Sequence, residues 1–316
     1  MAQRRELIAA SGAALGAEVR CGDVRTLDDA GIALVRQAWL DHLVVLIRDQ
    51  VLSDADLIAF GRRFGDLQIS DPLPSPLANE GRVRQGKGNE RFPEVTVVSN
   101  VVEGGTAIGG LGDGEVIWHT DMSSRESPPN QTILYAIEVA SSGGETAFLN
   151  MYAAYDALPP DLKGTVGKLA LKHDATIDAA GYARRKFQGS AHLDVTASPG
   201  MPHPLVRTHP ETGRNCLYLG RRSRAYLVGL DIAESEALLD RIWAHATQPQ
   251  FTWSHRWRQG DLLMWDNRCT MHYRTPFGAN ERRTLHRVVV KGSKPFFFAA
   301  GQPQPQSESA TVPSRG

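Results

Sequence analysis

The segment EVIWHTDMSS, residues 115–124, places His119 two positions before Asp121 and directly after an apolar run. Side chains two positions apart in an extended strand point to the same side, so the sequence predicts that His119 and Asp121 face one ion while Thr120 faces away. A second imidazole is available far downstream at His272. Two histidines and one carboxylate form the facial triad of a mononuclear non-haem iron site, which leaves coordination positions open for substrates.

The His-x-Asp spacing is weak evidence alone, because chance gives roughly one His-x-Asp or His-x-Glu in a chain of this composition. Three occur here, and the other two are at residues 192–194 and 209–211. The first lies in a stretch rich in Gly, Ser and Pro, where a rigid strand is not expected. The second leads into a turn, so its side chains should diverge. Only His119 follows an apolar run able to form a buried wall, and a hydrogen-bonded core histidine is the alternative interpretation.

The composition is that of an ordinary soluble globular protein. In 316 residues, 35 Lys and Arg balance 35 Asp and Glu, so no overall charge favours nucleic acid or an anionic membrane as a partner. We find no apolar run near the roughly 20 residues of a membrane span and no adequate signal peptide. Three cysteines without metal-like spacing fit a reducing compartment, so we expect a cytoplasmic protein. Whether it forms a homo-oligomer is left open.

The hydrophobic pattern predicts many short strands with a few peripheral helices. Helices are expected over LDDAGIALVRQAWLDH, after a Ser53 capping box through Phe64, in two short segments near residues 151–171, and over IAESEALLDRIWAHAT. The absence of regular helix and strand alternation favours a mainly β fold with a double-stranded β-helix (jelly-roll) core. We expect one domain over residues 1–300, a functional or mobile loop over 71–92, and a disordered tail over 301–316.

Two arginines lie in the segment ERRTLHRVVVKG, where strand alternation puts Arg283 and Arg287 on one face with Leu285 and Val289. Guanidinium groups are rarely buried without a partner, so an inward-facing pair predicts bound carboxylates or an anionic ligand. The alternative is that both arginines are solvated, because the opposite face of this strand is also mostly apolar.

Five ordered motifs then resemble the TauD/TfdA family of Fe(II)/2-oxoglutarate-dependent dioxygenases. The similarity covers most of the chain, from GAEV near residue 16 to KGSKPF at 291–296. The motifs are WHTDMS at 118–123, GGETAF at 143–148, WDNR at 265–268, His272, and RRTLHR at 282–287.

The resemblance implies a role for each matching residue. His119, Asp121 and His272 would bind Fe(II), Thr146 would hydrogen-bond 2-oxoglutarate, and Arg283 would clamp the distal carboxylate of 2-oxoglutarate in a bidentate pair. Arg287 matches a position near the anionic group of the substrate. The implied reaction uses O2 to convert 2-oxoglutarate to succinate and CO2 while a C–H bond of a small organic anion is hydroxylated, with cleavage of the product where the hydroxylated carbon carries a leaving group.

The departure from the family pattern concerns the substrate. Taurine-cleaving members carry a histidine that helps to hold the sulfonate where this chain has Ser70, which cannot supply that charge. Arg221, Arg222 and Arg224 offer charge elsewhere, and we expect a solvated loop there rather than a second anion site. An aryloxyalkanoate-cleaving or alkylsulfate-cleaving enzyme is the alternative to a sulfonate-cleaving one. The alternatives from other classes are a metal-dependent hydrolase and a noncatalytic jelly-roll binding module.

Overall fold

The computed structural model describes residues 7–69, 89, 91–181, 183–184, 187, 190 and 193–299, and β-strands dominate it. The strands in chain order are β1 Ile8–Ala10, β2 Ala17–Val19, β3 Val44–Ile47, β4 Thr96–Ser99, β5 Val102–Glu103, β6 Thr106–Ala107, β7 Gly110–Leu111, β8 Val116–His119, β9 Gln131–Glu138, β10 Thr146–Asn150, β11 Ala170–Asp174, β12 Gly200–Pro204, β13 Val206–Thr208, β14 Asn215–Leu217, β15 Tyr226–Leu227, β16 Thr252–His255, β17 Leu262–Asp266, β18 Thr270–Arg274 and β19 Thr284–Val290. The α-helices are α1 Asp29–His42, α2 Asp54–Arg62, α3 Met151–Asp156, α4 Pro160–Val166 and α5 Ile232–Ala246.

Two sheets enclose the interior in which the candidate site lies. The larger has the strand order β1-β2-β3-β17-β9-β19-β4-β7, and the smaller has the order β16-β10-β18-β8. Leu134 and Trp265 of the larger sheet share one apolar cluster with Phe148 and Met271 of the smaller. Because side chains of both sheets meet in one core, the sheets pack face to face. The predicted mainly β fold with a jelly-roll core is therefore confirmed.

Helices cover the outer face of the larger sheet. Apolar residues of α1 and α2, including Val35, Trp39 and Leu57, pack with Val45 and Val288 of the sheet in a second cluster. This packing explains why β3 and β19 are apolar on both faces. The start of α2 is fixed by a capping box, in which the Ser53 side chain accepts from the backbone of Asp56 and the Asp56 carboxylate accepts from the backbone of Ser53.

A smaller layer completes the molecule beside these sheets. It consists of the sheet β12-β11-β15 and the hairpin β13–β14. Leu171, Leu217 and, from α5, Ile242 join the first apolar cluster, so this layer shares the core of the jelly roll.

Several sequence predictions need correction or lie outside the description. Helix α2 ends at Arg62, two residues before the predicted Phe64, because the chain turns there toward Gly65, whose φ is +145°. His272 lies within β18. Most of the predicted loop 71–92 and the whole tail 301–316 fall outside the described residues. None of the described helices is both long and apolar enough to cross a membrane.

Candidate metal centre and anion pocket

Two histidines face each other across neighbouring strands of the smaller sheet. His272 of β18 is the register partner of His119 at the end of β8, and their ring centroids are 4.0 Å apart. Antiparallel pairing puts directly opposite side chains on the same face, which explains how residues so distant in sequence meet. Phe148 and Trp265 pack against the His272 ring, at centroid distances of 6.2 and 4.8 Å. The imidazoles therefore project into the apolar interior.

Asp121 completes the group, although by a different route from the predicted one. Strand β8 ends at His119, and Asp121 lies in the turn that follows, where Met122 has a positive φ of 49°. His119 and Asp121 therefore approach each other as predicted, but β8 ends at His119, and Asp121 lies in the turn that follows rather than in a continued strand. Asp121 Oδ1 lies 3.8 Å from His119 Nε2 and 3.9 Å from His272 Nε2. All three ligand atoms lie within 4.8 Å of one another.

Hydrogen bonding prepares His119 as a ligand. Its Nδ1 lies 2.8 Å from the carbonyl oxygen of Ile117. Because a carbonyl only accepts, Nδ1 carries the proton, and Nε2 keeps its lone pair toward Asp121. The predicted apolar wall before His119 is only partly formed, since Val116 is buried but Ile117 and Trp118 are half-buried.

A directed chain of hydrogen bonds orients Asp121. Trp265 Nε1 donates to Asn267 Oδ1 at 2.9 Å, and Asn267 Nδ2 donates to Thr132 Oγ1 at 2.8 Å. The Thr132 hydroxyl then donates to Asp121 Oδ2 at 2.7 Å, which leaves Oδ1 toward the imidazoles. The sequence did not point to Thr132. It offered a signal for Asn267, which belongs to the WDNR motif, but no role was assigned to that residue.

The electrostatics of the cluster suit a divalent metal. Burial raises the pKa of the Asp121 carboxyl, but the charges of His272, Arg287 and His119 and the hydrogen bond from Thr132 outweigh burial and bring it to about 2. Burial, followed by the charge of His119, lowers the pKa of His272 to about 3, and burial also lowers that of His119. A carboxylate with neutral imidazoles is the protonation state that metal binding needs.

Arg283 lies in a separate pocket nearby. Its side chain is 3% exposed, and Nη2 donates to the Gly144 carbonyl at 3.3 Å. Its guanidinium carbon lies 5.9 Å from the ring centroid of Trp257 and 5.8 Å from that of Phe277. No carboxylate pairs with Arg283 among the described residues, and burial, with the charge of Arg274, lowers its pKa to about 9. A buried cation without an acid partner indicates a place for an anionic ligand.

Thr146 adjoins the same pocket through Trp257. Trp257 Nε1 donates to Thr146 Oγ1 at 3.0 Å, so the Thr146 hydroxyl proton is available to a further acceptor. Thr146 lies two positions along β10 from Phe148, the register partner of His272. Since a strand advances about 3.4 Å per residue, the hydroxyl lies about 7 Å along the sheet from the His272 pair. The metal centre and the Arg283 pocket are therefore neighbours.

Arg287 lies at the metal centre itself. Its Nη1 is 3.5 Å from Asp121 Oδ1, and its buried Nε has no hydrogen-bond partner among the described residues. Arg287 belongs to β19, whereas Arg283 precedes that strand, and the ladder to β9 is irregular between Thr284 and Leu285. The predicted single alternating face is therefore interrupted, yet both guanidinium groups are largely removed from solvent.

The arginines near residue 220 do not form the predicted solvated loop. Arg221 is 9% exposed and pairs with Asp174 at 3.1 Å, and Arg224 pairs with the same carboxylate at 3.2 Å. Arg222 contacts Glu236 and Asp240. The prediction failed because these carboxylates are remote in sequence. Ser70 lies outside the described residues.

A second group of ligand-type residues is already saturated. His209, Asp266 and Cys269 lie close enough together to hold an ion. However, Arg268 donates to both Asp266 oxygens at 2.8 and 2.7 Å. His209 Nδ1 accepts from two backbone amides, so Nε2 carries the proton and donates to Asp266 at 3.0 Å. Because the His209 nitrogens and both Asp266 oxygens are already engaged in hydrogen bonds, they are not available to bind a metal. The group instead stabilises the turn after β17.

Comparisons with known proteins agree with this geometry. The family described as "Taurine catabolism dioxygenase TauD, TfdA family" matches residues 6–289. An (S)-phenoxypropionate/alpha-ketoglutarate-dioxygenase of Sphingobium herbicidovorans is 33% identical over 90% of this chain and 94% of its own length. Pentalenolactone F synthase of Streptomyces arenae is 34% identical over 88% of this chain and 92% of its own.

Solved structures extend the likeness to the fold. A taurine dioxygenase from Burkholderia xenovorans superposes with a TM-score of 0.70 at 30% identity, covering 91% of this chain and 90% of its own. The protein AAD-2, solved with Mn(II) and N-oxalylglycine, gives a TM-score of 0.70 at 29% identity and covers 91% and 98%. The family match spans nearly the whole chain, and the fold and the His-Asp-His cluster agree with it. The chain therefore belongs to the TauD/TfdA family of Fe(II)- and 2-oxoglutarate-dependent dioxygenases.

Proposed function

We propose that His119, Asp121 and His272 bind Fe(II), that Arg283 and Thr146 hold 2-oxoglutarate, and that Arg287 contacts an anionic substrate. The observation that supports this division most strongly is the buried Arg283, which lacks a carboxylate partner among the described residues and lies beside the His-Asp-His cluster. The catalytic domain in this proposal is residues 1–300.

The bound metal, 2-oxoglutarate and O2 supply the oxidation, which yields succinate, CO2 and a hydroxylated substrate carbon. The protein contributes by positioning the metal, 2-oxoglutarate and the substrate relative to one another and by excluding water. His119 offers Nε2 because Ile117 fixes its tautomer, and Asp121 offers Oδ1 because Thr132 occupies Oδ2. Two nitrogen donors and one oxygen donor are a set that suits Fe(II) and leaves room for further ligands.

Arg283 is suited to a distal carboxylate of 2-oxoglutarate. A guanidinium presents parallel N–H groups that match two carboxylate oxygens, and the low-dielectric pocket of Trp257 and Phe277 strengthens such a pair. Thr146 adds a hydroxyl proton from the neighbouring strand. Trp257 supports both residues, since its indole N–H donates to Thr146 and its ring lies beside the Arg283 guanidinium.

The primary substrate in this proposal is a small organic anion with an apolar body. Arg287 forms an ion pair with Asp121 through Nη1. Its Nε is buried, has no hydrogen-bond partner among the described residues, and can therefore donate to an incoming anion. Similar proteins are named for phenoxypropionate, 2,4-dichlorophenoxyacetate and sulfate esters. We favour a carboxylate, a sulfonate or a sulfate ester, and Ser70 in place of a histidine disfavours taurine.

A substrate screen with succinate formation as the readout tests the proposal. The panel contains taurine, a longer alkylsulfonate, an alkyl sulfate and a phenoxyalkanoate, together with uncharged analogues of the last three anions, each with Fe(II), 2-oxoglutarate and air. We expect stimulation by at least one of the last three anions and little by taurine. Stimulation by uncharged analogues alone would contradict the role of Arg287.

A cytoplasmic location is also part of the proposal and is supported by three free cysteines, of which Cys216 and Cys269 are buried.

A further inference from the structure

A cluster of four buried polar side chains lies in the layer of β11–β14. Its members are His173 of β11, His203 of β12, Arg207 of β13 and Tyr218, which directly follows β14, and none is more than 2% exposed. The centroid of the His173 ring lies 5.4 Å from that of His203 and 5.3 Å from that of Tyr218. The guanidinium carbon of Arg207 lies 5.1 Å from the Tyr218 ring centroid. The four side chains therefore form one contiguous cluster.

Most polar atoms in this cluster have no hydrogen-bond partner among the described residues. They are both ring nitrogens of His173, Nδ1 of His203, and Nε and Nη1 of Arg207. The Tyr218 hydroxyl interacts with the Arg207 guanidinium, which opposes the rise that burial causes in the pKa of Tyr218. A buried polar group that makes no hydrogen bond destabilises the folded state, so an occupant that satisfies these atoms would be stabilising. Neither of these Arg207 nitrogens is held by a carboxylate.

The donor and acceptor inventory indicates the charge of that occupant. Arg207 presents only donors, Tyr218 presents a hydroxyl, and His173 is a neutral imidazole with one N–H. Burial, and then the charges of His203 and Arg221, lower the pKa of His173 well below its usual value. His203 donates its Nε2 proton to the Arg125 carbonyl at 2.8 Å, so its Nδ1 is an acceptor. Donors exceed acceptors, and the one fixed charge is positive.

We propose that Arg207, Tyr218 and His173 form a buried site for a small inorganic anion of the size of chloride. Water would satisfy hydrogen bonds but would leave the guanidinium charge uncompensated in the interior, which is costly. The ring centroids of His173, His203 and Tyr218 lie 5.3–5.9 Å apart, so an occupant bound among their polar edges must consist of one or a few atoms and cannot be an organic acid.

The site lies directly behind the loop that carries Asp121. Gly220, two residues after Tyr218, accepts a hydrogen bond from the Thr120 amide at 2.9 Å, and a Cβ at Gly220 would meet His173 Nδ1 at 1.9 Å. The bound anion therefore stabilises the wall against which the metal-binding loop packs. It takes no part in the oxidation, so its presence is measurable without turnover.

The test is the melting temperature of the metal-free protein as chloride replaces gluconate at constant ionic strength. We expect Tm to rise by about 2–4 °C once chloride exceeds its dissociation constant roughly tenfold. The rise should be absent in Arg207→Gln. It should persist in the matched control Arg214→Gln, because Arg214 is an exposed arginine near the same hairpin that pairs with Asp156. If Arg207→Gln does not fold, Tyr218→Phe, which loses only the hydroxyl, should show a smaller rise than the native protein.

Bromide provides an independent readout. Native crystals grown in bromide should show an anomalous peak beside the Arg207 guanidinium. Ordered water without an anomalous signal, or a Tm that does not depend on chloride in the native protein, would overturn the proposal. A bromide peak without a chloride-dependent Tm would mark binding at crystal concentration only and would also overturn it.

Discussion

His119 and His272 lie directly opposite each other on neighbouring antiparallel strands, with ring centroids 4.0 Å apart and 153 positions apart in sequence (272 − 119). The register of a single strand pair therefore assembles two nitrogen donors, and a turn brings in the carboxylate of Asp121. A shift of one residue in this register would turn His272 to the other face of the sheet. The stability of the smaller sheet and the integrity of the metal centre are thus coupled.

Replacing His272 with Ala should abolish oxoglutarate decarboxylation. The change removes one of three ligands, and the native protein should bind one Fe(II) per chain. Metal content after anaerobic reconstitution and succinate formation both check this expectation. His245→Ala is the matched control, because His245 lies away from the cluster and hydrogen-bonds the Ala154 carbonyl on α3. Undiminished turnover in the His272 variant would refute the ligand assignment.

Arg283→Ala should raise the apparent constant for oxoglutarate by well over tenfold while Fe(II) binding persists. Truncating one partner of a buried charge pair typically costs about 2–5 kcal/mol, in large part because the other charge is stranded. The neighbouring Arg282 is an exposed residue that pairs with Glu138, so Arg282→Ala is the control and should leave the constant unchanged. If Arg287→Ala showed the defect and Arg283→Ala did not, the two roles would be exchanged.

Thr146→Val should raise the same constant by about tenfold, the effect of one hydrogen bond to a charged group. Thr146→Ser keeps the hydroxyl and should restore most of the affinity. The comparison is made by titrating oxoglutarate at saturating Fe(II). Equal constants for the Val and Ser variants would show that the hydroxyl does not reach oxoglutarate.

Thr132→Val should weaken Fe(II) binding by about 10–100-fold, because partners that orient a ligand carboxylate tune metal affinity to that extent. The isosteric change keeps the packing and removes the donor to Asp121 Oδ2. Thr165→Val is the control, since Thr165 lies on the exposed side of α4 and its hydroxyl donates to the Asp161 carbonyl. Metal titration with a competing chelator measures the effect. An unchanged affinity for Fe(II) would mean that the hydrogen bonds leading from Trp265 to Asp121 do not influence metal binding.

Taurine should be a poor substrate of the native protein, because Ser70 lacks the charge of a histidine. Ser70→His should improve turnover of short sulfonates more than that of carboxylates. Competition assays with taurine, a longer alkylsulfonate, an alkyl sulfate and a phenoxyalkanoate measure the preference. Efficient taurine cleavage by the native protein would defeat this interpretation.

Sequence periodicity was sufficient to predict the strands, the longer helices and the jelly-roll class, because these features depend on the local pattern of apolar residues. It was insufficient where contacts join residues remote in sequence. The ion pairs of Arg221 and Arg224 with Asp174 were missed for that reason, as was the donation from Thr132 to Asp121. The extent of β8 was also misjudged, because the turn after His119, in which Met122 has a positive φ, has no signal in a non-glycine residue.

The most direct test of the whole account is succinate formation from oxoglutarate by the purified protein with a responsive anion from the panel. Product formation is measured in parallel in mixtures that lack Fe(II), O2 or oxoglutarate. We expect one succinate per hydroxylated product in the complete mixture, and no hydroxylated product when Fe(II), O2 or oxoglutarate is omitted. Product formation without O2 or oxoglutarate would contradict it and would indicate a hydrolase.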